Sequence, residues 1–166
     1  MILGMSTSTF TLIHVLISLI GIGSGLVALY GLLNGKLLGG WTPLFMVSTV
    51  LTSVTGFLFP VEHLLPSHKV GIISLVVLAV AIAALYLFHL AGKWRAIYVI
   101  SALMALYLNC FVGVVQSFLK VPALHALAPN GNEPPFLIAQ TIVLLVFIVL
   151  GVSATKRFRG VPVLAS

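Results

Sequence analysis

Acidic residues are almost missing from this sequence. Asp and Glu together number 2, against 8 Lys and Arg, in 166 residues. Charged side chains make up 6% of the chain, where an ordinary soluble domain carries about 25%. So few charges cannot clothe a globule in polar atoms, which excludes a soluble domain. Intrinsic disorder needs the opposite composition and is excluded as well. Cysteine occurs once, as Cys110. One thiol makes no intrachain disulfide and no thiolate-rich zinc or iron–sulfur site. The stretch before the first apolar run contains no Lys or Arg. The basic n-region of a signal peptide is therefore absent, and the long run that follows reads as a retained transmembrane helix.

What the chain does contain is apolar. Hydrophobic residues make up 61%, and the mean hydropathy is +1.27. The composition predicts an all-α, polytopic integral membrane helix bundle forming a single membrane domain. Five apolar segments approach the roughly 20 residues a spanning helix needs. They run over about residues 7–33, 42–59, 67–91, 94–121 and 135–155, with a basic tail at 156–166. Asn34-Gly35 is a helix-stop signal after the first, and Pro60, Gly92 and Pro122 close the next three. The second segment holds Ser48, Thr49, Thr52, Ser53 and Thr55. Hydroxyls bond back to their own helix, so they do not forbid spanning.

Five crossings put the termini on opposite sides. Connections on the side opposite the N-terminus (side B) carry Lys36, Lys93, Arg95, Lys156, Arg157 and Arg159, while the N-terminal side (side A) carries Lys69 and Lys120. By the positive-inside rule, side B faces the cytoplasm of a cell membrane and the N-terminus lies outside. This gives the net charge of +6 an origin in topology. The basic residues are scattered singly or sit at one tail rather than forming a patch on a folded face, so nucleic acid is not an expected partner. The expected partners are the lipid bilayer, and other membrane subunits or a second copy of the chain.

The same map gathers the ionisable side chains. Glu62, Glu133, His14, His63, His68 and His125 all fall on side A, and only His89 falls near side B. Imidazole ligates zinc, copper and haem iron. His63, His68 and His125 with Glu62 or Glu133 make up a candidate metal set, and His14 extends it. No HExxH spacing is present. His63 and His68 would lie about 140° apart on a straight helix, and Pro66 between them permits a bend. For a haem b, His14 and His68 are the candidate axial pair.

Two stripes run below this cluster. In the first segment His14, Ser18, Gly21, Gly25 and Ala28 share a face, with a GxxxG that admits close helix packing. In the fourth, Ser101, Ala105, Asn109, Gly113 and Gln116 do the same. Asn109 is read either as glue against the hydroxyls of the second segment or, with Gln116, as the lining of a cofactor pocket. Gln116 and Gln140 lie nearer side A as partners for the histidines. Trp41, Trp94 and Tyr98 read as interface anchors on side B, and Phe57, Phe59, Phe111, Phe118 and Phe136 lie toward side A.

The expected function is a small membrane protein that binds a metal ion (zinc or copper) or haem b near its outer face. It would serve electron transfer or metal handling rather than act as an autonomous enzyme. The alternative is a structural or assembly subunit with no chemistry of its own, and a small transporter or channel comes third. No Asp, Glu, Lys or Arg falls deep in a segment, which counts against ion coupling. A serine hydrolase is disfavoured because no GxSxG elbow is present.

Overall fold

A computed structural model describes residues 2–60 and 66–160. The described chain is helical apart from its connections. The helices are α1 (Thr7–Leu33), α2 (Trp41–Gly56), α3 (Pro66–Ile82), α4 (Trp94–Lys120), α5 (Pro122–Leu127) and α6 (Pro134–Arg157). A π-helical turn, Ala83–Leu87, prolongs α3, and a 3-10 turn, Phe158–Gly160, prolongs α6.

Local chemistry sets the ends. Ser6 caps α1, its hydroxyl accepting from the Thr9 amide at 3.2 Å. The other end closes at Asn34-Gly35 as expected. Gly35 adopts φ 69°, and the Lys36 and Gly35 amides return to the Gly31 and Leu32 carbonyls at 2.8 and 3.1 Å. That is a Schellman closure, which needs a left-handed residue. Val121 turns extended ahead of Pro122 and ends α4.

Four helical stretches are long and apolar enough to cross a membrane: Thr7–Leu33, Pro66–Leu87, Trp94–Lys120 and Pro134–Arg157. The second expected span is the exception. α2 covers 16 residues, not the whole of 42–59. Thr52 and Thr55 bond back to the Ser48 and Leu51 carbonyls at 2.9 and 2.7 Å, Gly56 follows, and Pro60 lacks an amide hydrogen. Each of these weakens the last helical turn. The third segment also stops early. After Leu87 the chain turns through Phe88 to Gly92, with His89 at φ 46° and Leu90 at φ 57°. The buried Leu90 holds this turn, donating its amide to the Ala84 carbonyl at 3.0 Å. The long connection at 122–134 contains the short helix α5, which the sequence did not announce.

Although short, α2 runs back along α1. A methyl added at Gly25 would meet Phe45, and one at Gly21 would meet Ser48 and Thr49. Further along, Thr55 pairs with His14, and Phe59 with Phe10. α4 and α6 run antiparallel in the same way: Phe118 packs on Phe136, and Tyr107 on Phe147. The beginning of α1 therefore shares end A of the bundle with the start of α3, α5 and the start of α6. Leu33, Trp94 and Arg157 share end B.

The continuous apolar core lies toward end B, around Leu29, Phe45, Leu78, Tyr98, Val99 and Leu106. Along α6 only Gln140 and Ala154 are buried among its described residues. Leu137, Ile138, Ile142, Leu145 and Val149 are left facing outward. A helix so exposed and so apolar has its counterpart in lipid, not in water. The chain is an all-α bundle with membrane-spanning helices.

Candidate functional site

His14 lies two turns inside α1, half-buried against the end of α2. Its Nδ1 is 2.7 Å from the Thr55 hydroxyl. That hydroxyl also reaches the Leu51 and Thr52 carbonyls at 2.7 and 3.2 Å. When its one hydrogen serves a carbonyl, it accepts from the ring and His14 carries its proton on Nδ1. In the neutral ring the lone pair is left on Nε2, the arrangement found in metal-ligating histidines whose other nitrogen is held by an acceptor.

Two neighbours shape the space around the ring. A Cβ at Gly56 would come within 3.7 Å of His14 Cε1, so the glycine leaves room for the imidazole edge. Phe59 meets the ring edge-to-face at 5.2 Å and is itself backed by Phe10 at 5.1 Å. On the other side of the same turn, Phe57 packs on His68 with ring centroids 5.5 Å apart. His68 is buried in the first turn of α3. Gly71, one turn on, leaves the gap that Phe57 fills, since a Cβ there would lie 3.1 Å from its ring. The segment Thr55–Phe59 thus holds His14 with one set of side chains and His68 with another.

The remaining predicted residues are arranged less tightly. Glu62 and His63 lie outside the described residues. His125 is exposed on α5 at end A. Glu133 has both carboxylate oxygens engaged by its own loop. Oε1 accepts from the Asn130 amide and side chain at 3.0 and 2.7 Å, and Oε2 from the Asn132 amide at 3.1 Å. Desolvation by the surrounding chain acts to raise its pKa, but these donors prevail and hold the carboxyl below its usual value. Among the described residues no three His, Cys, Asp or Glu side chains come together as a metal-holding group.

Asn109 belongs to a different place. Its Nδ2 donates to the Thr49 hydroxyl at 3.1 Å, at the level of Gly21, about 10 Å along α1 from His14. The geometry matches the glue reading: an amide and a hydroxyl join α4 to α2 over a glycine of α1. Gln116 is exposed and does not join it. Gln140 is the buried glutamine, its Nε2 donating to the Phe111 carbonyl at 3.1 Å while Oε1 has no partner.

Sequence reasoning named His14 and His68 as candidates but not the residues that pack against them. Thr55 and Gly56 carried a signal only as members of a hydroxyl-rich segment. Their role follows from the antiparallel register of α1 and α2, which spacing alone does not fix. Comparison with protein-family models, curated proteins and solved structures finds no match, so the reading of this site rests on its own chemistry.

Proposed function

We propose that this protein is a multi-pass membrane module that ligates a metal centre, a haem b or a bare zinc or copper ion, through imidazoles at end A. It serves electron transfer or metal handling. The observation that carries this reading is the hydrogen-bond relay from His14 to Thr55 to the Leu51 carbonyl. With the Thr55 hydrogen on a helix carbonyl, this pair favours the tautomer that presents Nε2 as a ligand, and it lies near one end of a bundle whose tight apolar core is at the other. His68, on the far side of the Thr55–Phe59 turn, is the second proposed ligand. His63 and Glu62 follow that turn in sequence, and His125 shares the same end. In this reading end A faces outward and the basic end B faces the cytoplasm.

The test is an absorption spectrum with metal quantitation on detergent-purified protein, before and after titration with haem, zinc and copper. A Soret band, or stoichiometric zinc or copper, supports the proposal. His68→Ala then lowers the occupancy and His89→Ala, at the opposite end, leaves it unchanged. Protein that takes up none of the three, or equal occupancy in both variants, overturns it.

A second reading, a subunit of a membrane assembly, is favoured by α6, which buries so little of itself within the bundle. A stable homo-oligomer with α6 at its interface, found by cross-linking, together with no cofactor uptake, would select it.

A further inference from the structure

We propose that end B of the bundle is a docking surface for the phosphate headgroups of anionic phospholipids. The inference rests on the membrane reading alone and not on any cofactor at end A.

Six of the chain's eight Lys and Arg residues lie at this end: Lys36, Lys93, Arg95, Lys156, Arg157 and Arg159. The bundle draws three of them to one corner, where the end of α1, the start of α4 and the end of α6 meet. Arg157 Nη1 donates to the Leu33 carbonyl at 3.2 Å, and Arg95 Nη1 donates to the Arg159 carbonyl at 2.8 Å. These bonds fix the guanidinium groups on backbone carbonyls without neutralising them. Among the described residues no carboxylate stands against any of the six, and Glu133 is at the other end. Arg95 is the most telling. It lies in the first turn of α4, where the helix dipole is already positive, and its Nε is buried without a partner. Cations gathered at one end with no carboxylate beside them give it a positive potential that attracts an anion.

The depth of the site identifies its source. Trp94 precedes Arg95 and stacks face-to-face on Phe88, with centroids 3.7 Å apart. Trp41 begins α2 at the same end and is 47% exposed. Tryptophans at the ends of apolar helices sit at headgroup level. The cations beside them are at the depth of lipid phosphates, and Arg takes phosphate oxygens with paired donors.

Both tryptophans of the chain lie at this end, so they report directly on neighbouring lipid. The full chain is reconstituted in phosphatidylcholine vesicles holding either brominated phosphatidylglycerol or brominated phosphatidylcholine at equal mole fraction. Tryptophan quenching by the anionic lipid should indicate a relative affinity at least about fivefold higher, the ratio expected from about one effective basic contact. The preference should fall in 0.5 M NaCl. It should also fall toward unity in Arg95→Gln/Arg159→Gln and in Lys36→Gln/Lys93→Gln/Lys156→Gln. The lysine variant removes only exposed ammonium groups, so it keeps the test decisive if the arginine variant does not fold. Equal quenching by the two lipids overturns the proposal. So does a preference unaltered in the lysine variant. Abolition of the preference by 10 mM inorganic phosphate also overturns it, since the site would then be one for the free ion.

Discussion

At the scale of single residues, the most informative group is the Thr55 hydroxyl, because it has one proton and two obligations. Its oxygen lies 2.7 Å from both the Leu51 carbonyl and His14 Nδ1, so a hydrogen given to the carbonyl leaves a lone pair for the ring hydrogen. Thr55→Val keeps the shape and removes the acceptor. His14 then loses its orientation, and metal or haem affinity should drop by about 10–100-fold, the usual effect of deleting a partner of a ligating histidine. Thr55→Ser keeps the hydroxyl and should restore most of the affinity. A titration of both variants separates a positioning role from a packing role. If Thr55→Val binds as well as the parent protein, the relay has no part in ligation. Glu133 allows a second test. Its folded-state pKa is depressed, so its stabilisation of the 130–133 loop is present above the unfolded value of about 4.3. It is lost as pH falls through the folded value. Amide exchange at Asn130 and Asn132, corrected for its intrinsic pH dependence, should lose protection on acidification below that range. Glu133→Gln should show less protection at neutral pH. Exchange indifferent to both changes would mean that the carboxylate does not hold the loop. The sequence revealed Glu133 as an acid on side A but not its partners, because two asparagines in a Gly-containing turn become donors only once the turn has formed.

At the scale of elements, the apolar runs fixed most of the helices, and their ends followed from glycine and proline. Where the reading departed from the structure, side-chain hydrogen bonds and left-handed turns were responsible. Back-bonding threonines and Gly56 shorten α2, and the turn through His89 and Leu90 ends the third segment early. Neither leaves a periodic signal. The small-residue face of α1 was legible, and the structure sets it apart from the other side of the helix. A Cβ at Gly25 would lie 2.5 Å from Leu106 and 2.8 Å from Phe45, whereas one at Gly23 meets nothing within 4 Å. Leu106 and Phe45 are both buried and have little room to move. Gly25→Val should therefore destabilise the bundle by about 1–3 kcal/mol through overpacking. Gly23→Ala should cause no loss. Reversible unfolding of the two variants in mixed micelles measures the difference. Equal midpoints would show that α1 does not approach α4 and α2 as closely as the structure has it.

At the scale of the whole molecule, everything turns on α2. Its 16 helical residues extend about 24 Å, less than the roughly 30 Å hydrocarbon core. Length alone would therefore leave the number of crossings at four, and histidines from different segments would fall on opposite faces. The packing argues otherwise. Contacts step from Gly25 with Phe45, through Gly21 with Thr49, to His14 with Thr55 and Phe10 with Phe59. These pairs carry the chain from Gly25 to the first turn of α1. In the five-crossing reading, a segment laid so closely along a spanning helix shares its depth. Ser48, Thr52 and Thr55 bond back within the helix and Thr49 meets Asn109, as a lipid environment requires. Reporter fusions test this directly. Fusions at residue 36 and after Arg159 should both read cytoplasmic, and one at residue 130 should read external, following the basic excess at end B. Residues 36 and 130 reporting from the same side would mean that α2 does not cross. His14 and His68 would then lie toward opposite faces of the membrane, and no shared metal centre between them would survive.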